Sequence, residues 1–177
     1  MKLKKRGIII PDQHYPLEDR AAVECVKKAI LKVKPQVFVN LGDVGEWDSV
    51  SAWKYKDKKL PPLEFQLPLV DEEIRLVNKG LDEWDEIFEV LKKVGCKEKY
   101  LLQGNHDLWL DNFANKYPYL SDYSFFKACK IKERGYKYTE YNLPIQVGKL
   151  VFFHGAFATT YHAKKHLDSY GSSIIYG

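Results

Sequence analysis

Cysteine is scarce in this sequence, and what there is does not pair. Cys25, Cys96 and Cys129 lie far apart, odd in number and with no Cys-x-x-Cys spacing. This argues against a zinc–thiolate site and predicts reduced thiols in a cytoplasmic setting. Long hydrophobic runs are also missing: none approaches the length that spans a bilayer. The basic lead Met1-Lys2-Leu3-Lys4-Lys5-Arg6 is followed by an apolar run too short for a signal peptide. It reads as a solvated entry into the first strand. There is no strong charge imbalance. A formal net charge of +4 tolerates a phosphate-bearing partner without identifying a nucleic-acid binder. Internal repeats, low-complexity tracts and dividing linkers are absent. The 177 residues, 45% hydrophobic and 29% charged, therefore predict one globular domain over residues 1–177 with a real core.

What is present is one arrangement made four times. Tyr100-Leu101-Leu102 reads as a buried strand and runs into Gln103-Gly104-Asn105-His106-Asp107. Gly7-Ile8-Ile9-Ile10 runs into Pro11-Asp12-Gln13-His14, and Val37-Phe38-Val39-Asn40-Leu41 into Gly42-Asp43. Leu150-Val151-Phe152-Phe153 runs into His154-Gly155. Continuous apolar runs are expected of strands covered on both faces. Ligands of open α/β sheets bind at such strand ends. If the strands lie side by side, Asp12, His14, Asp43, Asn105, His106 and His154 converge. Singly, each has a bland reading as a turn former, a surface residue or a satisfied core histidine; together the bland readings need several coincidences in one order.

Between these points, apolar residues at helical spacing predict a helix over Leu17 to Val33, ended by Pro35. A strand–helix–strand order predicts a parallel pair. Glu46 to Pro68 reads as a long irregular loop, aromatic at Trp47, Trp53, Tyr55 and Phe65 and basic from Lys54 to Lys59. Such loops are commonly functional or disordered. It is either an aromatic mini-core under a solvated lysine run or a wall of the substrate site, with Trp47, Trp53 and Lys54 as contacts. Asp71 to Val94 predicts a long amphipathic helix capped by Asp71. Leu108 to Lys130 is mostly helical and broken at Pro118. Tyr136 to Tyr141 and Ile145 to Val147 read as short strands, and Gly148-Lys149 as a hairpin turn. Thr159 to Tyr170 predicts a further helix. Its His162 and His166 read as one solvated face, with His162 as the alternative reach into the site. Ser173 to Gly177 repeats the strand-then-glycine theme.

Carboxylate, imidazole and amide donors without thiolate suit manganese, iron or zinc. A central carboxylate can bridge two cations roughly 4 Å apart, and such pairs suit phosphoryl chemistry.

The ordered motifs Asp12-x-His14, Gly42-Asp43, Gly104-Asn105-His106-Asp107 and His154-Gly155 resemble the calcineurin-like metallophosphoesterases over nearly the whole chain. The resemblance implies an α/β fold: a mixed β-sandwich flanked by helices in four layers. It also implies two divalent transition-metal ions, manganese first, with iron, zinc or nickel as alternatives. Carried over, Asp12 and His14 would hold one metal, Asp43 would bridge, and Asn105 and His154 would hold the second. A metal-activated hydroxide would attack phosphorus, His106 would protonate the leaving group, and Asp107 would orient His106. The family closes its site with a late Gly-His-x-His motif. Gly177 stands where that glycine would, with no histidine after it, so the domain is expected to be incomplete beyond Gly177 and to leave an open sheet edge for self-association. The implied function is hydrolysis of phosphate esters, as a phosphatase, phosphodiesterase or nuclease. The alternative is a catalytically impaired domain that binds metal or nucleic acid without turnover. The basic aromatic loop leans toward a nucleotide or nucleic-acid partner.

Overall fold

The computed structural model describes residues 5–93 and 95–177. The lead at Met1 to Lys4 and the predicted helix end at Val94 lie outside the described residues; Lys5 and Arg6 are exposed.

The first three apolar runs form adjacent parallel strands. β1 (Gly7–Ile10), β2 (Val37–Asn40), β3 (Glu98–Leu102) and β4 (Lys137–Thr139) pair in that order, all parallel. Ile10 pairs with Asn40 and Asn40 with Leu101, so three strands end level with one another. A second sheet holds β5 (Ile145–Val147), β6 (Leu150–Phe153) and β7 (Ile174–Tyr176). β5 and β6 form the expected hairpin, turning at Gly148 with φ +65°; β7 joins β6 in parallel. Val37, Val39, Leu41 and Leu102 of the first sheet share an apolar cluster with Phe152 of the second. That cluster brings His154, at the end of β6, to the ends of β1 to β3.

Helices fill the crossovers. α1 (Arg20–Val33) starts later than its apolar pattern because the Asp19 carboxylate accepts from the amides of Ala21 and Ala22, at 2.9 and 3.1 Å, and so fixes the cap. α2 spans Leu63–Lys92 and starts eight residues before the predicted Asp71 cap. Pro62 caps it, and Pro68 lies inside it. An interior proline costs about 3 kcal/mol. Packing of Leu63 and Leu67 and full burial of Gln66 and Val70 offset this. Asp71 is instead a mid-helix acceptor for the Tyr123 hydroxyl at 2.7 Å. Val77, Leu81, Trp84, Phe88 and Leu91 bury against the first sheet's core. α3 (Asn105–Lys116) begins directly after Gly104, a 3-10 turn follows from Pro118, and α4 is Phe125–Ala128. Asn105, His106 and Asp107 are therefore a helix's first turn, not a loop. α5 is His162–Tyr170. His166 departs from the predicted solvated face: it is wholly buried, stacked on Tyr176, and its Nε2 accepts from the Ala156 amide. Among the described residues, no helix is long and apolar enough to cross a membrane.

Candidate metal centre

Beyond their strands, the loops after β1 and β2 continue to pair. The amides of Asp12, His14 and Tyr15 donate to the carbonyls of Gly42, Asp43 and Val44 at 3.1, 3.0 and 2.9 Å. Asp12, His14 and Asp43 take left-handed φ values of 49°, 48° and 50°. Non-glycine residues rarely adopt these, and each costs on the order of 1–3 kcal/mol unless its surroundings hold it. The latch is that hold. It turns three donor side chains toward one place at the level strand ends.

Close approach does the rest. Gly42 has φ +107°, and a Cβ there would lie 2.5 Å from the Gly104 amide nitrogen. A Cβ on Gly104 would lie 2.0 Å from Asp43 Oδ1. The two glycines let the β2 and β3 loops touch backbone to backbone. Asp43 Oδ1 then accepts from the His106 amide at 2.8 Å, leaving Oδ2 toward the pocket.

Ligand atoms of Asp12, Asp43 and His154 all lie within 4.8 Å of one another. His14 Nε2 is 3.9 Å from Asp43 Oδ2 on one side, and His154 Nε2 is 3.5 Å from the same oxygen on the other. His154 Nδ1 faces the Leu41 carbonyl at 2.9 Å. A carbonyl only accepts, so Nδ1 carries the hydrogen. In a neutral ring Nε2 is then a lone pair, yet it faces Asn105 Oδ1 at 3.0 Å and the Asp43 carboxylate. Three acceptors aimed at one point suit a cation, and a backbone carbonyl behind the ring is the usual partner of a metal-ligating histidine. Asp12 adds to this. Burial raises its pKa above the ordinary carboxylate value, and the Asp43 carboxylate raises it further. An exposed carboxylate, Asp12, set beside a buried one, Asp43, suits positive charge.

A family model matches residues 6–173, and it describes the calcineurin-like phosphoesterases. The chain belongs to the calcineurin-like phosphoesterases. Members of that family bind divalent metal ions and hydrolyse phosphate esters. A comparison with curated proteins found no match.

In this phosphoesterase family member, Asp12, His14, Asp43, Asn105 and His154 line one open cavity of about 540 Å³. The donor set drawn from four strand ends is thus brought together. Trp53, 70% exposed, lines the same cavity. His106 sits beside it, its ring edge-on to His14 with centroids 4.6 Å apart.

The other expected contacts are placed elsewhere. Trp47 is fully buried and donates its indole N–H to Asp107 at 3.1 Å, so it is a support and not a substrate wall. Its side chain is the packed half of the aromatic loop. Lys54 is held in an ion pair with Asp48 and does not line the cavity. His162 is exposed and paired through Nδ1 with the Tyr176 hydroxyl at 2.7 Å, away from the cavity lining.

Asp107 does not touch the His106 ring. Fully buried, it accepts from the amides of Val44, Gly45 and Gly104 and from Trp47. Burial, and then Asp43's charge, push its pKa up to about 6 despite these donors. It clamps the β2 loop to the start of α3. The residue that orients His106 is Glu46, whose carbonyl faces Nδ1 at 3.0 Å. The Glu46 carboxylate also lies 2.8 Å from His14 Nδ1 and 3.6 Å from His106 Nδ1. Trp109 stacks on the other face of His106, with centroids 3.9 Å apart. Neither Glu46 nor Trp109 is among the sequence candidates. The only signal for Glu46 is a carboxylate three residues past Asp43.

Proposed function

We propose that the chain hydrolyses phosphate esters at a pair of divalent transition-metal ions. Asp12, His14 and Asp43 would hold one, and Asp43, Asn105 and His154 the other, with Asp43 shared. The observation that carries the reading is the convergence of Asn105 Oδ1 and Asp43 Oδ2 on His154 Nε2, at 3.0 and 3.5 Å, with a backbone carbonyl behind the ring. Oxygen and imidazole donors without thiolate favour manganese, with iron, zinc or nickel as alternatives. Ions bound there would neutralise phosphoryl charge and lower the pKa of a water.

The remaining chemistry belongs to the chain. Glu46 holds one nitrogen of His106 and Trp109 holds its plane, which leaves Nε2 to give a proton to the leaving oxygen. The Glu46 carboxylate also lies beside His14 Nδ1 at 2.8 Å, so a single residue sits next to a ligand and the acid. The same reading takes the two sheets and their helices as the family's four-layer sandwich, supported by the cluster shared between the sheets. It places the protein in the cytoplasm, supported by three free thiols.

Elemental analysis of protein purified without chelator tests the centre: two transition-metal ions per chain are expected. Hydrolysis of bis(p-nitrophenyl) phosphate tests the chemistry, with His106→Ala expected to lose about 10²- to 10⁴-fold in kcat. Metal uptake without hydrolysis of any phosphate ester would overturn the enzymatic reading in favour of a binding module.

A further inference from the structure

A second cavity, also about 540 Å³, adjoins the metal centre and is not used by it. Tyr55, Lys58, Gln66, Trp109, Phe113 and Lys116 are among the residues that line it. The loop before α2 serves both cavities: Trp53 faces the metal cavity, while Ala52 and Tyr55 face this one. Trp109 joins them, since the ring that stacks on His106 also lines the second cavity.

The lining is specific in its chemistry. It offers aromatic surface from three residues and two ammonium groups, and no carboxylate. Neither Lys58 nor Lys116 makes an ion pair among the described residues, whereas neighbouring Lys54 does. At the inner wall, buried Gln66 donates Nε2 to the Ser49 carbonyl at 2.8 Å, and its Oε1 has no partner among the described residues. Lysines beside aromatic faces bind single-stranded nucleic acid, the rings by stacking on bases and the lysines by attracting phosphate. The volume falls within the range of small-ligand sites.

We infer that this cavity is a leaving-group subsite, taking a base and the adjoining phosphate of a single-stranded oligonucleotide while the scissile phosphodiester lies at the metal centre. The inference rests on the phosphoesterase reading above. The side is set by His106: the group that protonates the leaving oxygen is packed on the ring that lines the subsite. In the reaction, a water oxygen bonds to phosphorus and the P–O bond on the subsite side breaks. The leaving oxygen takes the His106 proton, and the proton lost by water returns to the medium. The products are a phosphomonoester and an alcohol.

The test compares two substrates on metal-loaded protein: a short oligothymidylate and bis(p-nitrophenyl) phosphate, which carries neither a base nor a second phosphate. The variants are Lys58→Ala/Lys116→Ala and Tyr55→Ala, at exposed or half-exposed positions outside the metal centre. Each should lose about tenfold or more in kcat/KM on the oligonucleotide and stay within about twofold on the small diester. The double lysine variant should also show a shallower salt dependence, since each phosphate left without its lysine takes about 0.7 off the slope for single strands. Equal losses on both substrates, no loss on the oligonucleotide, or a parent that cleaves only the small diester would overturn the subsite. If the parent cleaves neither, the phosphoesterase reading fails separately. Tryptophan-fluorescence titration with the oligonucleotide then decides the cavity: binding weakened about tenfold in the lysine variant supports it, and unchanged or absent binding overturns it.

Discussion

At the scale of single residues, the centre depends on what is missing at Gly104. Its φ of −87° suits any residue, so the need for glycine comes from Asp43 alone. A methyl group 2.0 Å from Asp43 Oδ1 must displace the one carboxylate that faces both His14 and His154. Gly104→Ala is expected to destabilise by about 1–3 kcal/mol and to abolish uptake of the second metal ion, read by thermal unfolding and elemental analysis. Asp107→Ala acts from behind. It leaves three backbone amides and the Trp47 indole without an acceptor, at about 1–3 kcal/mol for each buried donor left unmet. The expected outcome is a loss of about 3 kcal/mol or more in denaturant titration. Glu46→Ala keeps the backbone carbonyl on His106 and removes the carboxylate beside His14 Nδ1, so it should leave the fold intact and weaken metal affinity by about 10- to 100-fold, as for other groups that orient metal ligands. Glu46→Gln should restore part of it. Asp12, His14, Asp43, Asn105 and His154 are legible in the sequence because each directly follows an apolar strand. Glu46 and Trp109 are not. Their places depend on a left-handed turn at Asp43 and on α3 starting at Asn105, and neither leaves a periodic trace.

Among the elements, α2 shows how packing overrides local signals. The expected irregular loop reaches Pro68, yet the helix starts at Leu63 and runs through Pro68 because the turns around it bury Gln66 and Val70. The stretch from Ile74 to Leu91, free of proline and strongly periodic, is legible from pattern alone. The aromatic loop before it is not, because composition does not say which rings turn inward: Trp47 is buried and Trp53 is not. Within α2, Gly80 gives a sharp test. Glycine to alanine inside a helix ordinarily stabilises by up to about 1 kcal/mol. At Gly80 the added Cβ would lie 2.5 Å from the Tyr15 ring, which is buried and held by the Trp84 indole N–H at 2.9 Å. Tyr15 also carries the backbone latch between the β1 and β2 loops. Gly80→Ala should therefore destabilise, by about 1–3 kcal/mol, with metal affinity falling alongside. A rise in melting temperature would show that the latch tolerates movement of Tyr15.

For the molecule as a whole, the joint between α1 and α2 sets a pH dependence separate from the metal centre. Glu83 lies between the helices, where Lys27 and Arg20 both donate to it. Burial raises its pKa, and those two hydrogen bonds more than reverse the effect, so its folded value is below the ordinary glutamate value. A depressed folded pKa means the ionised form is favoured by folding. The stabilisation is fully present above the unfolded glutamate value and is lost as pH falls through the lower folded one. The carboxylate is about one-quarter exposed and Arg20 about half, so screening limits the joint to about 1 kcal/mol. Glu83→Gln should accordingly lower the unfolding free energy by about 1 kcal/mol at pH 7, and the gap between parent and variant should begin to close as pH falls below the ordinary glutamate value of about 4.3 and vanish below the lower folded value. Measuring both in urea, in the presence of chelator, keeps the metal ligands' own protonation out of the difference between the two curves. A gap that persists at low pH would mean that Glu83 holds the helices by packing and not by charge.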